Sequence, residues 1–322
     1  MSKNRAALDL GTNSFRMLIA EAKRRSFTSA QKTLCTVRLG EGISNQRLST
    51  VAMNRGLETL ATFKQQLTDR SIEIIACGTA VFRQVTNGVE FIKRAESLLG
   101  AQIQVLTPEQ EAYLSRVGTL LGLNETSNTP CITIDAGGGS TELSISENMA
   151  SAKMLPEDQW YWTSLPVGAV SLTETYQSST RRTPADIYKM QQATTTIIHK
   201  GLSEWLLSFG HSSSALPSTP TLVASGGTAT ALACLDLGLK EYDAARVQGH
   251  ILHRTTLAAM LKDLAKLTPK QANILPGLDN RRGEIIIAGL LILQTIADFW
   301  SCDQITVSDT GLLEGIFLAG GH

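Results

Sequence analysis

Cysteine is scarce in this chain. Its five copies, Cys35, Cys77, Cys131, Cys234 and Cys302, show no CxxC spacing. That pattern excludes a disulfide framework and a structural zinc site, and predicts buried free thiols in a reducing cytoplasm. Net charge is missing as well, since 29 lysines and arginines balance 29 acidic residues. No global field therefore pulls the molecule toward DNA or a membrane surface, although a local basic pocket remains open to it. The longest apolar run, Ile285 to Ala297, is interrupted by Gln294 and is too short to span a bilayer, so it predicts a buried helix. Near the start, the apolar run after Lys3 and Arg5 breaks at Asp9, which argues against a secretory signal. No GxxxxGK sequence occurs, which removes the P-loop enzymes. The histidines (His199, His211, His250, His253 and His322) form no metal-ligand cluster. With 322 residues, 43% hydrophobic and 18% charged, the chain is expected to make two soluble domains, each with its own core.

Against these absences stands a motif that occurs twice. Asp9-Leu10-Gly11-Thr12-Asn13-Ser14 returns as Asp135-Ala136-Gly137-Gly138-Gly139-Ser140. Each copy follows a short apolar run and leads into another, which predicts strand, tight turn, strand. Glycine at such a tip allows positive φ and lets the backbone approach an oxyanion closely. Successive N–H groups of the turn form an anion nest. An aspartate cannot touch phosphate directly, so its natural partner is a divalent cation bridging it to phosphate oxygens. Two such hairpins suggest two similar domains facing one another across a cleft.

Further signals fill in the frame. Alternation predicts a third strand over Thr33 to Leu39. Helical spacing marks Leu48 to Asp69 and Gly88 to Leu99, and strands are expected at Ile72–Ala76 and Ile103–Leu106. Thr107-Pro108-Glu109-Gln110 opens a helix with a cap, a proline at the first helical position and a capping-box glutamine. Glu111 thus sits in a first helical turn beyond the C-terminal end of a strand, the place where open α/β sheets bind ligands. Taken alone, an acid there could simply favour the helix dipole. The polar stretch 124–130 is the expected domain boundary and hinge. Beyond it come a long helix near 184–209, a low-complexity connector at 212–220, and the strand Leu222-Val223-Ala224. Ser225-Gly226-Gly227-Thr228 then starts a helix, a third anion-binding arrangement. A strand at 305–308 and a terminal helix at 311–318 close the chain.

This order of elements resembles the actin, hexokinase and sugar kinase superfamily. Within it the chain resembles the exopolyphosphatase / guanosine pentaphosphate phosphohydrolase (Ppx/GppA) family over nearly its whole length. The likeness rests on Asp9 to Arg16, Arg38-Leu39-Gly40-Glu41-Gly42, Thr79 to Arg83, Glu109-Gln110-Glu111-Ala112, and Ile134 to Leu143. It continues through Leu165 to Val170, Ser225 to Thr228, Gly249-His250, Leu275 to Leu278, and Ser308-Asp309 with Glu314-Gly315. The chain resembles a short form that lacks the C-terminal helical domains of longer members.

The resemblance implies an α/β fold of two ribonuclease H-like (actin-like ATPase) domains. The first is expected over residues 1–127 with the terminal helix 311–322, the second over 128–310. It implies a phosphohydrolase that releases terminal phosphate from inorganic polyphosphate or guanosine pentaphosphate. Glu111 matches the carboxylate that activates the attacking water. Asp9, Asp135 and Glu142 match the acids associated with Mg2+ (or Mn2+). Gly11, Thr12, Asn13, Ser14, Arg16, Thr79 and Arg83 are expected at phosphate, as are Gly137, Gly138, Gly139, Ser140, Thr141, Gly226, Gly227 and Thr228. Neither DNA nor membrane is an expected partner, and a homodimer is in keeping with the family. Three positions depart from its pattern: Ser171 and Leu313 stand where many members carry arginine, and Gln248 where histidine is common. The lost cations motivate an alternative, a non-hydrolytic protein that binds a nucleotide or alarmone. A phosphotransferase ranks below both, because Glu111 faces the phosphate end rather than an acceptor hydroxyl.

Overall fold

The computed structural model describes residues 3–23, 26–67, 72–123, 129–146, 161–177, 182–208, 219–278 and 282–319. The chain divides into two compact units, Met1–Gly118 with Leu312–His322, and Thr119–Gly311. The division falls inside a helix. Most of the expected boundary, 124–128, lies outside the described residues, as do 212–218 of the low-complexity connector and His211 and His322.

In the first unit, β1 (Lys3–Leu10), β2 (Ser14–Lys23) and β3 (Ser26–Thr36) form an antiparallel meander. β4 (Glu73–Gly78) lies parallel to β1, and β5 (Ile103–Val105) parallel to β4, giving the order β3-β2-β1-β4-β5. Ala6, Leu8 and Leu10 point into the main core while Ala7 points into the other face. This alternation in a strand covered on both sides explains why consecutive residues Ala6, Ala7 and Leu8 of β1 are all apolar. One face is covered by α1 (Thr50–Gln66) and α3 (Gly88–Leu99), whose Phe63 and Phe91 join Phe15 in the core. Helix α12 (Leu312–Ala319) covers the other through Leu312, Leu313, Ile316 and Phe317. The Phe27 and Phe317 rings meet edge to face at 5.3 Å. Arg5 Nη1 donates to the Phe317 carbonyl at 2.7 Å.

The second unit repeats the plan. β6 (Cys131–Ala136), β7 (Thr141–Ser146) and β8 (Tyr161–Leu165) form the meander, and β9 (Thr221–Ser225) and β11 (Gln304–Val307) run parallel to β6. A short β10 (Ile251–His253) adds antiparallel to β11, so the order is β10-β11-β9-β6-β7-β8. Each unit is thus of ribonuclease H-like (actin-like) type. The expected buried helix is α11 (Ile286–Phe299), in which eleven residues are buried. It lies in one large core with α6 (Pro184–Ser208), α7 (Gly226–Asp236) and α9 (Arg254–Leu264), and the short α8 (Ala244–Val247) and α10 (Pro269–Asn273) flank α9 in the chain.

Differences from the sequence expectations are local. β3 begins at Ser26, where it pairs with the end of β2, and it ends at Thr36, where Val37 and Arg38 (φ 52°) turn to the Asn13 carbonyl of the hairpin. The sequence pattern also missed β8, α2 (Ala80–Gln84) and α5 (Ala169–Tyr176). α2 and α5 are too short for a 3.6-residue period to show. The five cysteines are all free thiols. Among the described residues, no helix is long and apolar enough to cross a membrane.

Candidate functional site

The two hairpins are built alike. In the first, Asp9 lies opposite Arg16 and the Gly11 N–H donates to the Ser14 carbonyl at 3.1 Å. In the second, Asp135 lies opposite Glu142 and the Gly137 N–H donates to the Ser140 carbonyl at 3.0 Å. One expectation fails here: neither Gly11 nor Gly137 has positive φ. Glycine eases close approach instead, since a Cβ would stand a tight 3.0 Å and 3.1 Å from those same carbonyl oxygens.

The residue across from each aspartate differs in sign. Arg16 Nη1 lies 3.9 Å from Asp9 Oδ2, so the charge of the buried first aspartate is met inside its own hairpin. Glu142 instead adds a second carboxylate beside Asp135. It is buried, and its Oε1 accepts from Ser140 Oγ at 2.7 Å and from Ser164 Oγ on β8 at 2.8 Å. Of the three carboxylates expected at a metal, the structure brings Asp135 and Glu142 together, while Asp9 belongs to the first unit. No group of three or more His, Cys, Asp or Glu positioned to hold a metal occurs among the described residues.

Glu111 enters from α4 (Pro108–Leu121). The capping box forms as expected, with the Gln110 N–H on Thr107 Oγ1 at 3.2 Å and Gln110 Oε1 on the Thr107 N–H at 3.0 Å. Glu111 is 6% exposed, and its Oε2 accepts from Arg83 Nη1 at 2.7 Å. The same Arg83 nitrogen donates to the Leu106 carbonyl at 2.8 Å. The two residues that the sequence assigns to base and to phosphate are therefore an ion pair. Arg83 Nε and Nη2 have no protein partner among the described residues. Thr79, at the N-cap of α2, is buried, and its N–H reaches the Leu10 carbonyl at the end of β1. Beside it, Cys77 lies opposite Asp9 in the β1–β4 register. Burial pushes its thiol up to about 12, with the Asp9 charge adding to the effect.

The third arrangement also forms. Gly226 opens α7 at φ 81°, and a Cβ there would stand 2.6 Å from Asp135 Oδ1. Thr228 Oγ1 donates to the Ala136 carbonyl at 3.1 Å, tying the helix to the second hairpin. Arg282, absent from the sequence reading, donates to the Gly227 carbonyl. Tyr242 Oη donates to Asp309, and burial, then the Asp309 charge, raises the phenol above its ordinary value. His250 pairs with Asp236 at 2.7 Å, a structural contact. Ser164 had only the aromatic and β-branched content of Tyr161–Leu165 to mark its strand. Arg282 had only its place before the apolar run to mark it.

Comparison with known proteins agrees with this architecture. The model of the Ppx/GppA phosphatase family matches residues 18–320. A bifunctional 3-dehydroquinate synthase/phosphatase of Fusobacterium nucleatum is 27% identical over 98% of this chain and 46% of its own length. A guanosine-5'-triphosphate,3'-diphosphate pyrophosphatase of Pseudoalteromonas translucida is 29% identical over 97% of this chain and 58% of its own. The chain thus spans about half the length of these curated relatives. The crystal structure of an exopolyphosphatase-like protein superposes with a TM-score of 0.86 at 24% identity, covering 99% of this chain and 98% of that one.

Proposed function

The chain belongs to the Ppx/GppA phosphatase family, and on that footing we propose that it is a cytoplasmic phosphohydrolase removing the terminal phosphate from inorganic polyphosphate, guanosine pentaphosphate or both. The observation that carries this reading is the buried Glu111 held by Arg83 at 2.7 Å. Attack of water on a terminal phosphoryl group needs a positioned base, in-line geometry and neutralised charge, with little covalent work. Glu111 is the base. Arg83 orients its carboxylate and offers its remaining guanidinium N–H groups to a phosphate oxygen. The N–H groups of Gly11 and Gly137 close their own hairpins, so the anion donors are those of Thr12–Ser14 and Gly138–Thr141, and of Gly226 to Thr228 at the start of α7. Arg16 and Thr79 complete the phosphate-binding set.

Asp135 and Glu142 fit a hard cation such as Mg2+ (or Mn2+). They are paired carboxylates with hydroxyls around them, and Gly226 leaves room beside Asp135 Oδ1. Magnesium is usually held by one or two carboxylates, with waters and substrate phosphates completing its shell. Asp9, which the resemblance also assigns to the ion, meets the charge of Arg16 inside the first unit. When bound, the ion neutralises phosphoryl oxygens as a Lewis acid.

The test is phosphate release from long-chain polyphosphate, tripolyphosphate and guanosine pentaphosphate, each with magnesium and with excess chelator. Release from at least one, abolished by chelator, is expected. No release from any of the three with magnesium present defeats the reading.

A further inference from the structure

Each hairpin loop has its carbonyls occupied by a neighbouring strap. In the first unit, the Thr12 carbonyl accepts from the Gly40 N–H at 3.0 Å, and the Asn13 carbonyl from the Val37 and Arg38 N–H groups at 3.0 and 2.7 Å. In the second, the Gly137 carbonyl accepts from the Ala169 N–H at 2.9 Å, and the Gly138 carbonyl from the Val170 and Ser171 N–H groups at 2.9 and 3.1 Å. A trans peptide carries its C=O and N–H on opposite sides, and the described chain has no cis bonds. Fixing the carbonyls of residues 12 and 13 therefore turns the N–H groups of Asn13 and Ser14 away from the strap. The same holds for Gly138 and Gly139 against α5. Two successive N–H groups on one side make an anion nest.

Both straps approach closer than a side chain permits. A Cβ on Gly40 would stand 2.5 Å from Thr12 Cγ2, and one on Gly168 would stand 2.4 Å from the Gly138 carbonyl carbon. Each is locked by one side chain of its own unit. Arg55 on α1 donates to the Val37 carbonyl, to the Arg38 carbonyl at 2.8 Å and to Glu41 at 2.9 Å. Glu41 in turn holds Arg38 at 3.3 Å. Ser171 Oγ accepts from the Gly168 N–H and donates to the Gly168 carbonyl, both at 3.1 Å, closing the first turn of α5. The N–H groups that a helix start usually leaves without partners are here taken up by loop carbonyls. Hydrogen bonds in such a chain polarise one another, which strengthens Gly138 and Gly139 as donors.

We propose that Arg55 and Ser171 are positioning residues, each locking the strap that aims one phosphate loop. This rests on the phosphohydrolase reading. It also gives the Ser171 departure a purpose, because its hydroxyl closes the first turn of the strap through both polar groups of Gly168.

The experiment measures tripolyphosphate binding by calorimetry with magnesium, and KM and kcat for its hydrolysis, on the intact protein and on Arg55→Gln, Arg55→Lys, Ser171→Ala and Ser171→Thr. Arg55→Gln, Arg55→Lys and Ser171→Ala are each expected to weaken binding and raise KM by about tenfold, the value of roughly one lost hydrogen bond. For all three kcat should change less than threefold, and Ser171→Thr should restore the intact values. Arg55→Lys is expected to fail because an ammonium cannot reproduce the guanidinium fork. A purely structural role would lower the active fraction, and so apparent kcat, with KM and Kd unchanged. That result overturns the proposal for the unit concerned. Binding without turnover in the intact protein defeats hydrolysis but leaves the calorimetric comparison to decide this inference. An intact protein that binds no tripolyphosphate overturns it outright.

Discussion

Removing the carboxylate of Glu111 without changing its shape probes the centre of the chemistry. Glu111→Gln keeps the volume, and its amide oxygen can still accept from Arg83 Nη1, which the carboxylate meets at 2.7 Å. What disappears is the negative charge and the ability to take a proton. A positioned general base contributes about 10²–10⁴ in rate, which corresponds to about 3–5 kcal/mol of transition-state stabilisation at 1.36 kcal/mol per tenfold. Stability should move far less. The pair is only partly screened, with side chains 21% and 8% exposed, and a retained hydrogen bond limits the loss to about 1–2 kcal/mol. Arg83→Ala does the opposite: it leaves a buried carboxylate without that cation, and should cost about 1–3 kcal/mol of stability. It should also raise KM, because the phosphate contact disappears. A double-mutant cycle on kcat and KM separates the two roles. In the double variant, kcat should match Glu111→Gln alone, since Arg83 has no base left to orient, while KM should still rise. The assay is initial-rate phosphate release under saturating magnesium, with a thermal melt on each variant. Glu111→Gln within threefold of the intact rate would refute the assignment of the base.

Ser164→Ala removes one of the two hydroxyl donors to Glu142 Oε1; the magnesium concentration for half-maximal activity should rise about tenfold, as for other outer-shell partners, and an unchanged magnesium titration would argue against metal at Glu142. Gly226→Ala places a Cβ 2.6 Å from Asp135 Oδ1 at φ 81°; activity should fall at least tenfold, with about 1–2 kcal/mol of strain visible in a urea titration. Burial raises the Cys77 thiol to about 12 and that of Cys302 to about 11. The unfolded chain therefore releases these protons first, near pH 9, and stability should fall as pH rises from there toward 11, by up to about 1.4 kcal/mol per pH unit for each thiol; urea midpoints at pH 8 and pH 10.5 check this, and a Cys77→Ala/Cys302→Ala variant should flatten the slope. In the first unit, a Cβ on Gly315 would stand 1.9 Å from the Leu114 carbonyl oxygen, so Gly315→Ala should destabilise the protein by about 1–3 kcal/mol, and an unshifted melting temperature would show that α12 can move aside at little cost.

What could be read from the amino-acid order alone was local. The duplicated hairpins, the Thr107–Gln110 capping box and the buried helix near residue 285 each depend on residues adjacent in the chain or spaced by one period. Their physics, turn, cap and apolar repetition, operates at short range and is therefore written into consecutive residues. Glycine was legible at the loops, but the reason for it was not. Positive φ is a property of one residue, whereas the crowding that Gly11, Gly40 and Gly168 relieve comes from a partner segment.

Everything that turns those loops into a candidate site is settled by residues far apart in sequence. Arg83 meets Glu111 across 28 positions, Ser164 reaches Glu142 across 22, and Arg282 reaches Gly227 across 55. No periodicity records such pairs, because each exists only once a sheet register has closed and burial has made an unpartnered charge or carbonyl costly. The chain order therefore determined which strands and turns would form. The tertiary structure decided which charges stand together and which way the loop N–H groups point, since desolvation acts only on groups that folding has brought into contact.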